Sequence, residues 1–296
     1  MTLNIVTLLQ YWYTNQQLHA GLGSVRSLAF TMNNGIRQGS VLSPHLFSVY
    51  VDDLSHMLNG SGLGCHIAGT PANNFSYADD LAIVCPSAVA LNDLLRVCEQ
   101  FARDHYIVYN TTKSVCMCAT PKGYRGVVPP AIYLNNEKLS YVDSFYYLGH
   151  IITSDISDDE DIKREIRSLS ARGNALIRTF KFCNDEVKLN LFKTYCYSFY
   201  CGSLWCNYKS ATMNRLRVTY NNVMRRLANY PMFHSASMMF VSLNVKGFKE
   251  LRRAMMYSMR TRLSRSSNRV IANLFNSDAR ALSPLWHRWD LDLFVQ

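Results

Sequence analysis

Two tetrapeptides in this chain set paired carboxylates behind an aromatic residue: Tyr50-Val51-Asp52-Asp53 and Tyr77-Ala78-Asp79-Asp80. Adjacent aspartates offer hard oxygen ligands. On a tight turn they suit a pair of magnesium or manganese ions that stabilise the attacking and leaving oxygens of nucleotidyl transfer. Context separates the two. Around the first pair, Leu46, Val49/Tyr50, Asp53/Leu54 and Met57/Leu58 recur with helical period behind Ser43-Pro44, a capping residue and a first-turn proline. On a helix Asp52 and Asp53 point about 100° apart, which is poor geometry for one metal cluster. The second pair lies between Asn74-Phe75-Ser76 and Leu81-Ala82-Ile83-Val84, short apolar runs that read as strand, turn and strand. A rigid hairpin can aim carboxylates at a ligand. Asp79 and Asp80 are therefore the candidate catalytic and metal-binding residues, although an isolated Ala-Asp-Asp is also an ordinary turn.

An upstream segment strengthens that choice. Residues 35–44 read Gly35-Ile36-Arg37-Gln38-Gly39-Ser40-Val41-Leu42-Ser43-Pro44, and they begin 44 residues before Asp79. A Gly–Arg–Gln–Gly turn leading into a capped helix brings bare backbone, an amide and a guanidinium to one spot. Glycine there lets a flat ligand such as a base pair approach the main chain.

The elements that must carry these residues are mixed. Helical spacing covers 3–18 (Ile5, Leu8, Leu9, Trp12), 43–58 and 88–105, and a weak strand covers 24–32. A hairpin is expected over 73–85, with short strands near 114–119, 131–134 and 145–152. From Ser157 onward the chain reads as helical. Ser157 followed by Glu160 spells a capping box, and Asp158-Asp159-Glu160-Asp161 puts negative charge at a helix N-terminus. Further helices are expected over 185–201, 210–229 and 246–262.

The first of these segments make the chain resemble the reverse transcriptases of non-LTR, LINE-type retrotransposons. Gly35 to Pro44 is similar to that family's motif B, and Phe75 to Asp80 to its motif C. Asn110-Thr111-Thr112-Lys113-Ser114 resembles the segment around motif D. Phe145-Tyr146-Tyr147-Leu148-Gly149-His150-Ile151-Ile152 resembles the primer-grip hairpin, and the helical half, with Tyr200-Cys201-Gly202-Ser203-Leu204-Trp205, resembles the thumb. The resemblance implies an α+β fold: a partial polymerase palm, an antiparallel sheet with packed helices, over residues 1–153, then an all-helical thumb and connection over 157–296. It implies RNA-templated DNA synthesis from dNTPs on an RNA template and a DNA primer, with two Mg²⁺ or Mn²⁺ ions. Asp79 and Asp80 would hold the metals. Gly35, Arg37, Gln38, Gly39 and Tyr77 would lie along the nascent base pair, Lys113 near the incoming phosphates, and Leu148 and Gly149 at the primer end.

A two-ion site needs a further carboxylate opposite the pair. In the family it lies upstream of motif B, whereas the 34 residues before Gly35 contain no Asp or Glu. The expectation is a reverse transcriptase fragment that is inactive by itself. The competing expectation is a non-catalytic RNA- or DNA-binding remnant. Charge bears on both. Of 31 Lys+Arg and 21 Asp+Glu, residues 1–160 hold 8 and 13, so the remainder carries a large basic excess. Arginine forks match phosphate geometry, which makes Arg215, Arg225, Arg226, Arg252 and Arg253 candidates for the nucleic-acid backbone. A composition 48% hydrophobic and 18% charged excludes a disordered chain. No membrane span is expected from the sequence. Nine cysteines without framework spacing fit a reducing, intracellular compartment, nucleus or cytoplasm.

Overall fold

The computed structural model describes residues 3–31, 39–120, 129–276 and 283–294. Among them lie ten helices and fourteen short strands. The chain divides into two compact units, Met1–Met57 with Ser76–Ala82, and Leu58–Phe75 with Ile83–Gln296.

The first unit begins with α1 (Leu3–Thr14) and two nested ladders. β1 (Gln17–Leu18) pairs with β4 (Phe30–Thr31), and inside it β2 (Gly21–Leu22) pairs with β3 (Val25–Arg26). The single strand expected over 24–32 is therefore two. Ser27 breaks it by bonding back to Ala20, amide to carbonyl at 2.8 Å. The stripe Ile5, Leu8 and Trp12 exists as the spacing requires, yet each of these side chains is about half exposed. α2 (Ser43–Gly60) follows, with Ser43 and Leu54 buried.

Among the described residues the strands form seven two-stranded ladders rather than one continuous antiparallel sheet. β5 (His66–Ile67) and β6 (Thr70–Pro71) form a hairpin. β7 (Asn74–Tyr77) pairs with β8 (Asp80–Ile83). After α3 (Ala88–Asp104), β9 (Val115–Cys116) is bridged in parallel by β12 (Ser140–Tyr141), while β10 (Tyr133–Leu134) and β11 (Glu137–Lys138) form a hairpin between them. β13 (Ser144–Tyr147) and β14 (His150–Thr153) close the series. α3 is capped by Ser87, whose hydroxyl accepts from the Ala90 amide at 3.4 Å. Its stripe Leu94, Leu95, Cys98, Phe101 and Ala102 is buried, as its period requires. Leu95 packs with Ile132, Leu134 and Leu139, so α3 covers the β10–β11 hairpin.

The second half is helical: α4 (Asp159–Thr179), α5 (Asp185–Cys196), α6 (Ser210–Leu227), α7 (Ala236–Ser242), α8 (Phe248–Ser264), α9 (Arg269–Asn276) and α10 (Pro284–Phe294). Tyr220 is the centre of its core. Its ring centroid stands 5.2 Å from Phe192, 5.7 Å from Phe199 and 5.4 Å from Phe240, and its hydroxyl reaches the Lys246 carbonyl at 2.8 Å. A buried tyrosine of this kind contributes apolar area and satisfies its polar end. α5 stops at Cys196 rather than 201 because the chain turns to bury Phe199 and Trp205, with Cys201 left-handed at φ 61°. No described helix is long and apolar enough to cross a membrane.

The capping box is not formed. Asp158 is the N-cap residue and its side chain makes no bond to its own helix. Instead it accepts from the Cys206 and Asn207 amides, both at 2.7 Å, while Glu160 pairs with Lys163 at 2.6 Å. The amides of Cys206, Asn207 and Lys209 reach the helix start and bond to Asp158 and Asp159, while Ser157 Oγ accepts from the Asp159 amide instead of that of Glu160.

α4 and α6 run side by side in the same direction. Asp159 accepts from the Lys209 amide near both N-termini, and Asn174 accepts from Arg226 toward both C-termini. Gly173 lets them approach: a Cβ there would lie 2.6 Å from Val223 Cγ1. Gly173→Ala gains about 1 kcal/mol of helix propensity, but forcing a methyl into a filled seam costs about 1–3 kcal/mol. Thermal denaturation should show a net loss of stability, recovered when Val223→Ala makes room. A Gly173→Ala protein more stable than the parent would contradict this seam.

Candidate functional site

The hairpin expected around Asp79 and Asp80 is formed, with a two-residue turn, Ala78-Asp79. Ala78 is left-handed at φ 52°, a conformation that costs a residue with a Cβ about 1–2 kcal/mol. Asp80 opens β8, and both aspartates are exposed. Buried Asn73 donates to the carbonyls of Leu58 and Leu63, both at 2.8 Å, and its own carbonyl accepts from the Val84 amide at 2.8 Å. Asp52 and Asp53 lie exposed on α2, where Asp52 approaches His56 at 3.3 Å.

The donor chemistry of Asp79 and Asp80 is right for a hard divalent cation, but the set is short. No group of three or more His, Cys, Asp or Glu able to hold a metal occurs among the described residues. Of the upstream segment, Gly35, Arg37 and Gln38 lie outside the described residues. Gly39 has φ 80°, and no atom lies within 4 Å of where its Cβ would stand, so backbone conformation rather than space selects glycine. Tyr77, beside the turn, is exposed. Lys113 is exposed at the end of a turn in which its amide donates to the Asn110 side chain at 3.1 Å.

The second candidate hairpin, β13–β14, is held from below. Its turn, Leu148-Gly149, is left-handed at both residues, φ 48° and 76°, as a type I′ turn requires. The Ile151 amide donates to Asp161 Oδ1 at 3.1 Å. Asp161 is fully buried and also accepts from Trp205 Nε1 at 2.8 Å and Arg164 Nε at 2.6 Å. His150 Nε2 stands 3.5 Å from Asp161 Oδ2, too far for a well-formed hydrogen bond. Buried Glu165 pairs with Arg172 at 2.6 Å. Tyr147 on β13 donates to the Phe75 carbonyl at 3.2 Å. In the sequence this acidic run reads as a cap alone. The missed signal is its spacing: Asp158, Asp161 and Glu165 share the face that carries Ile162 and Leu169.

Burial alone would raise the Asp161 carboxyl, but the bonds from Arg164, Trp205 and Ile151 outweigh it and hold the group below the ordinary range. Asp159 is lowered in the same way, by Thr212 and the Lys209 amide against its desolvation. For Asp158 and Glu165 desolvation prevails and the carboxyls are raised.

The candidate arginines separate into two kinds. Arg225 is half-buried and donates to the His234 carbonyl through Nε at 3.1 Å and Nη2 at 2.9 Å. Arg252 is half-buried, with its guanidinium 5.6 Å from the centre of the Tyr208 ring. Arg215, Arg226 and Arg253 are exposed. Two further exposed arginines, Arg167 and Arg178 on α4, were not singled out from the sequence. Arg167 and Arg178 are eleven residues apart, as are Arg215 and Arg226 on α6. Eleven residues are three helical turns, about 16 Å, so each pair lies on one side of its helix. The bond from Arg226 to Asn174, 3.2 Å, joins the two rows across the α4–α6 seam. This spacing was legible in the sequence, whereas the seam was not.

The family model described as "Reverse transcriptase (RNA-dependent DNA polymerase)" matches residues 5–152. Curated relatives include the RNA-directed DNA polymerase from mobile element jockey of Drosophila funebris, 21% identical over 285 residues, 94% of this chain and 31% of the relative. The corresponding jockey polymerase of Drosophila melanogaster is 22% identical over 231 residues, 73% of this chain and 24% of the relative. The Retrovirus-related Pol polyprotein from type-1 retrotransposable element R2 of Popillia japonica is 30% identical over 141 residues, 45% of this chain and 19% of the relative. The chain spans less than a third of the length of each.

Asp161→Asn keeps the side-chain shape but removes the nearer counter-charge of Arg164, at 2.6 Å, and leaves only Glu165 at 3.4 Å. The loss should approach, without reaching, the cost of breaking a buried pair, about 3–5 kcal/mol, and lower the melting temperature by about 5 °C. The contribution of Asp161 is complete above about pH 4 and is lost as pH falls through its lowered value. The raised Asp158 and Glu165 act in the opposite sense: their contribution is present below about pH 4 and is lost as pH rises through their folded values. Melting temperatures below pH 4 should therefore depend less steeply on pH in Asp161→Asn. An acid limb equal to that of the parent would contradict the assignment.

Proposed function

Because the chain belongs to the reverse transcriptase (RNA-dependent DNA polymerase) family, in its non-LTR, LINE-type branch, we propose that it is the part of such an enzyme that holds the primed template and supplies two of the metal-binding carboxylates. The observation that carries this reading is the Asp79-Asp80 hairpin, following a Gly–Arg–Gln–Gly segment at the spacing the family uses. The reaction is RNA-templated DNA synthesis from dNTPs, and two divalent ions would supply charge stabilisation at the attacking and leaving oxygens.

In this reading Asp79 and Asp80 hold metal, Gln38 and Gly39 lie beneath the nascent base pair, and Lys113 meets the incoming phosphates. Residues 145–152 support the primer end. Arg167, Arg178, Arg215 and Arg226 meet the RNA or hybrid backbone through phosphates, with Arg253 a further exposed contact. Arg225 and Arg252 act indirectly, by shaping the basic helices. The third carboxylate of a two-ion site has no candidate before Asp52, so residues 1–296 alone bind primed template without extending it. A second reading, binding without any catalytic role, is favoured by the same arginine rows.

Residues 1–296 should bind a primed RNA template, and the four phosphate contacts of the two rows alone imply on the order of a hundredfold loss of affinity between 50 and 200 mM salt. Replacing Arg215 and Arg226 together by alanine should lower the slope of log affinity against log salt by about 2. Asp79→Asn should leave this binding unchanged. Extension with Mg²⁺ or Mn²⁺ that Asp79→Asn abolishes would overturn the inactivity of this segment and establish the catalytic role. Salt-independent binding would overturn the phosphate track.

A further inference from the structure

The turn of the β13–β14 hairpin is gripped by a residue outside both the hairpin and α4. Tyr200 lies in the loop after α5, and its hydroxyl donates to the Leu148 carbonyl. Its ring lies beside Gly149, where a Cβ would come 3.2 Å from Tyr200 Cε1. The Arg164 guanidinium stands 5.6 Å from the centre of the same ring and donates to the Tyr200 carbonyl at 3.2 Å. Arg164 is in turn bonded to Asp161, which takes the Ile151 amide of the same hairpin. The contacts form a closed loop: α4 holds one strand directly and the turn through Tyr200.

This arrangement does more than bury apolar surface. Tyr200 is about half exposed and Leu148 is exposed, so little hydrophobic area is at stake. What the loop fixes is the place and left-handed conformation of two turn residues. A type I′ turn normally recruits Asn or Gly at its first position, as at Asn135-Asn136, φ 51° and 64°. Here a leucine occupies it, and the hydroxyl on its carbonyl favours the conformation that the side chain resists.

We propose that Tyr200 is a positioning residue for the 3′ end of the primer: through the Leu148 carbonyl it sets the turn against which that end rests. The proposal rests on the reading of residues 145–152 as support for the primer end. It separates the residues that place the end, Tyr200 with Arg164 and Asp161 behind it, from the arginine rows that hold phosphates anywhere along a duplex.

The experiment compares two RNA–DNA duplexes of equal length and charge, one blunt and one with a recessed DNA 3′ end, binding to residues 1–296 and to Tyr200→Phe. The substitution removes one hydroxyl and keeps the ring against Gly149 and Arg164. The parent should prefer the recessed end. In Tyr200→Phe that preference should fall about fivefold, the share of one hydrogen bond, with blunt-duplex affinity unchanged. Gly149→Ala, which presses on the ring from the turn, should move the preference the same way. A parent without any preference defeats the reading of the hairpin, and the proposal falls with it. A parent with a preference that Tyr200→Phe retains, or an equal loss for both duplexes, overturns the proposal alone.

Discussion

Asp161 combines a charge with complete burial, and the second unit is organised around satisfying it. An ionised carboxylate taken out of water is costly unless donors and a counter-charge surround it. The donors here come from separate parts of the chain: the Ile151 amide of a β-hairpin, the Trp205 indole of the loop after α5, and the Arg164 guanidinium one turn along α4. Asp158 and Asp159 extend the same principle to the amides of Cys206, Asn207 and Lys209. Hydrophobic contact alone would allow the hairpin to slide on the helices. Carboxylates with fixed partners remove that freedom. Their net energy is modest, since burial opposes every bond they make, and geometric definition is the larger return.

That organisation divides the work of the molecule. The helical core, centred on Tyr220, provides a rigid body whose outer side carries arginines in rows. The hairpin at 144–153 is tied to that body by Asp161 and Tyr200, and Tyr147 reaches the main chain of Phe75, on the strand that leads to Asp79. The hairpin bearing Asp79 and Asp80 is anchored at its base by Asn73. The first unit is built differently: α1 buries none of the side chains described on it, and Leu22, Leu28, Val41 and Val49 are also exposed.

Much of this was legible in sequence, for physical reasons that differ by element. α3 and α6 follow from apolar periodicity, because a helix of that length with one buried stripe has few alternatives. The Asp79 hairpin follows from two short β-forming runs around a polar turn. The arginine rows repeat at three helical turns. What the sequence hid was non-local. The acidic run before α4 looks like a cap, because its partners lie about fifty residues later. Arg225 and Arg252 look like surface charge, and only the fold brings them to the His234 carbonyl and the Tyr208 ring. The short ladders could not be told from a continuous sheet, because strand length depends on pairing partners rather than on local propensity.

The central claim is that the hairpin and the helical body form one cooperative unit through Asp161. Native-state hydrogen exchange at the Ile151 amide tests it most directly. That amide points to a buried carboxylate, so it should open only when α4 itself unfolds. The protection of Ile151 should equal that of the Leu169 and Val223 amides in the cores of α4 and α6. An Ile151 amide that exchanges orders of magnitude faster than those two, in the intact protein at neutral pH, would contradict it.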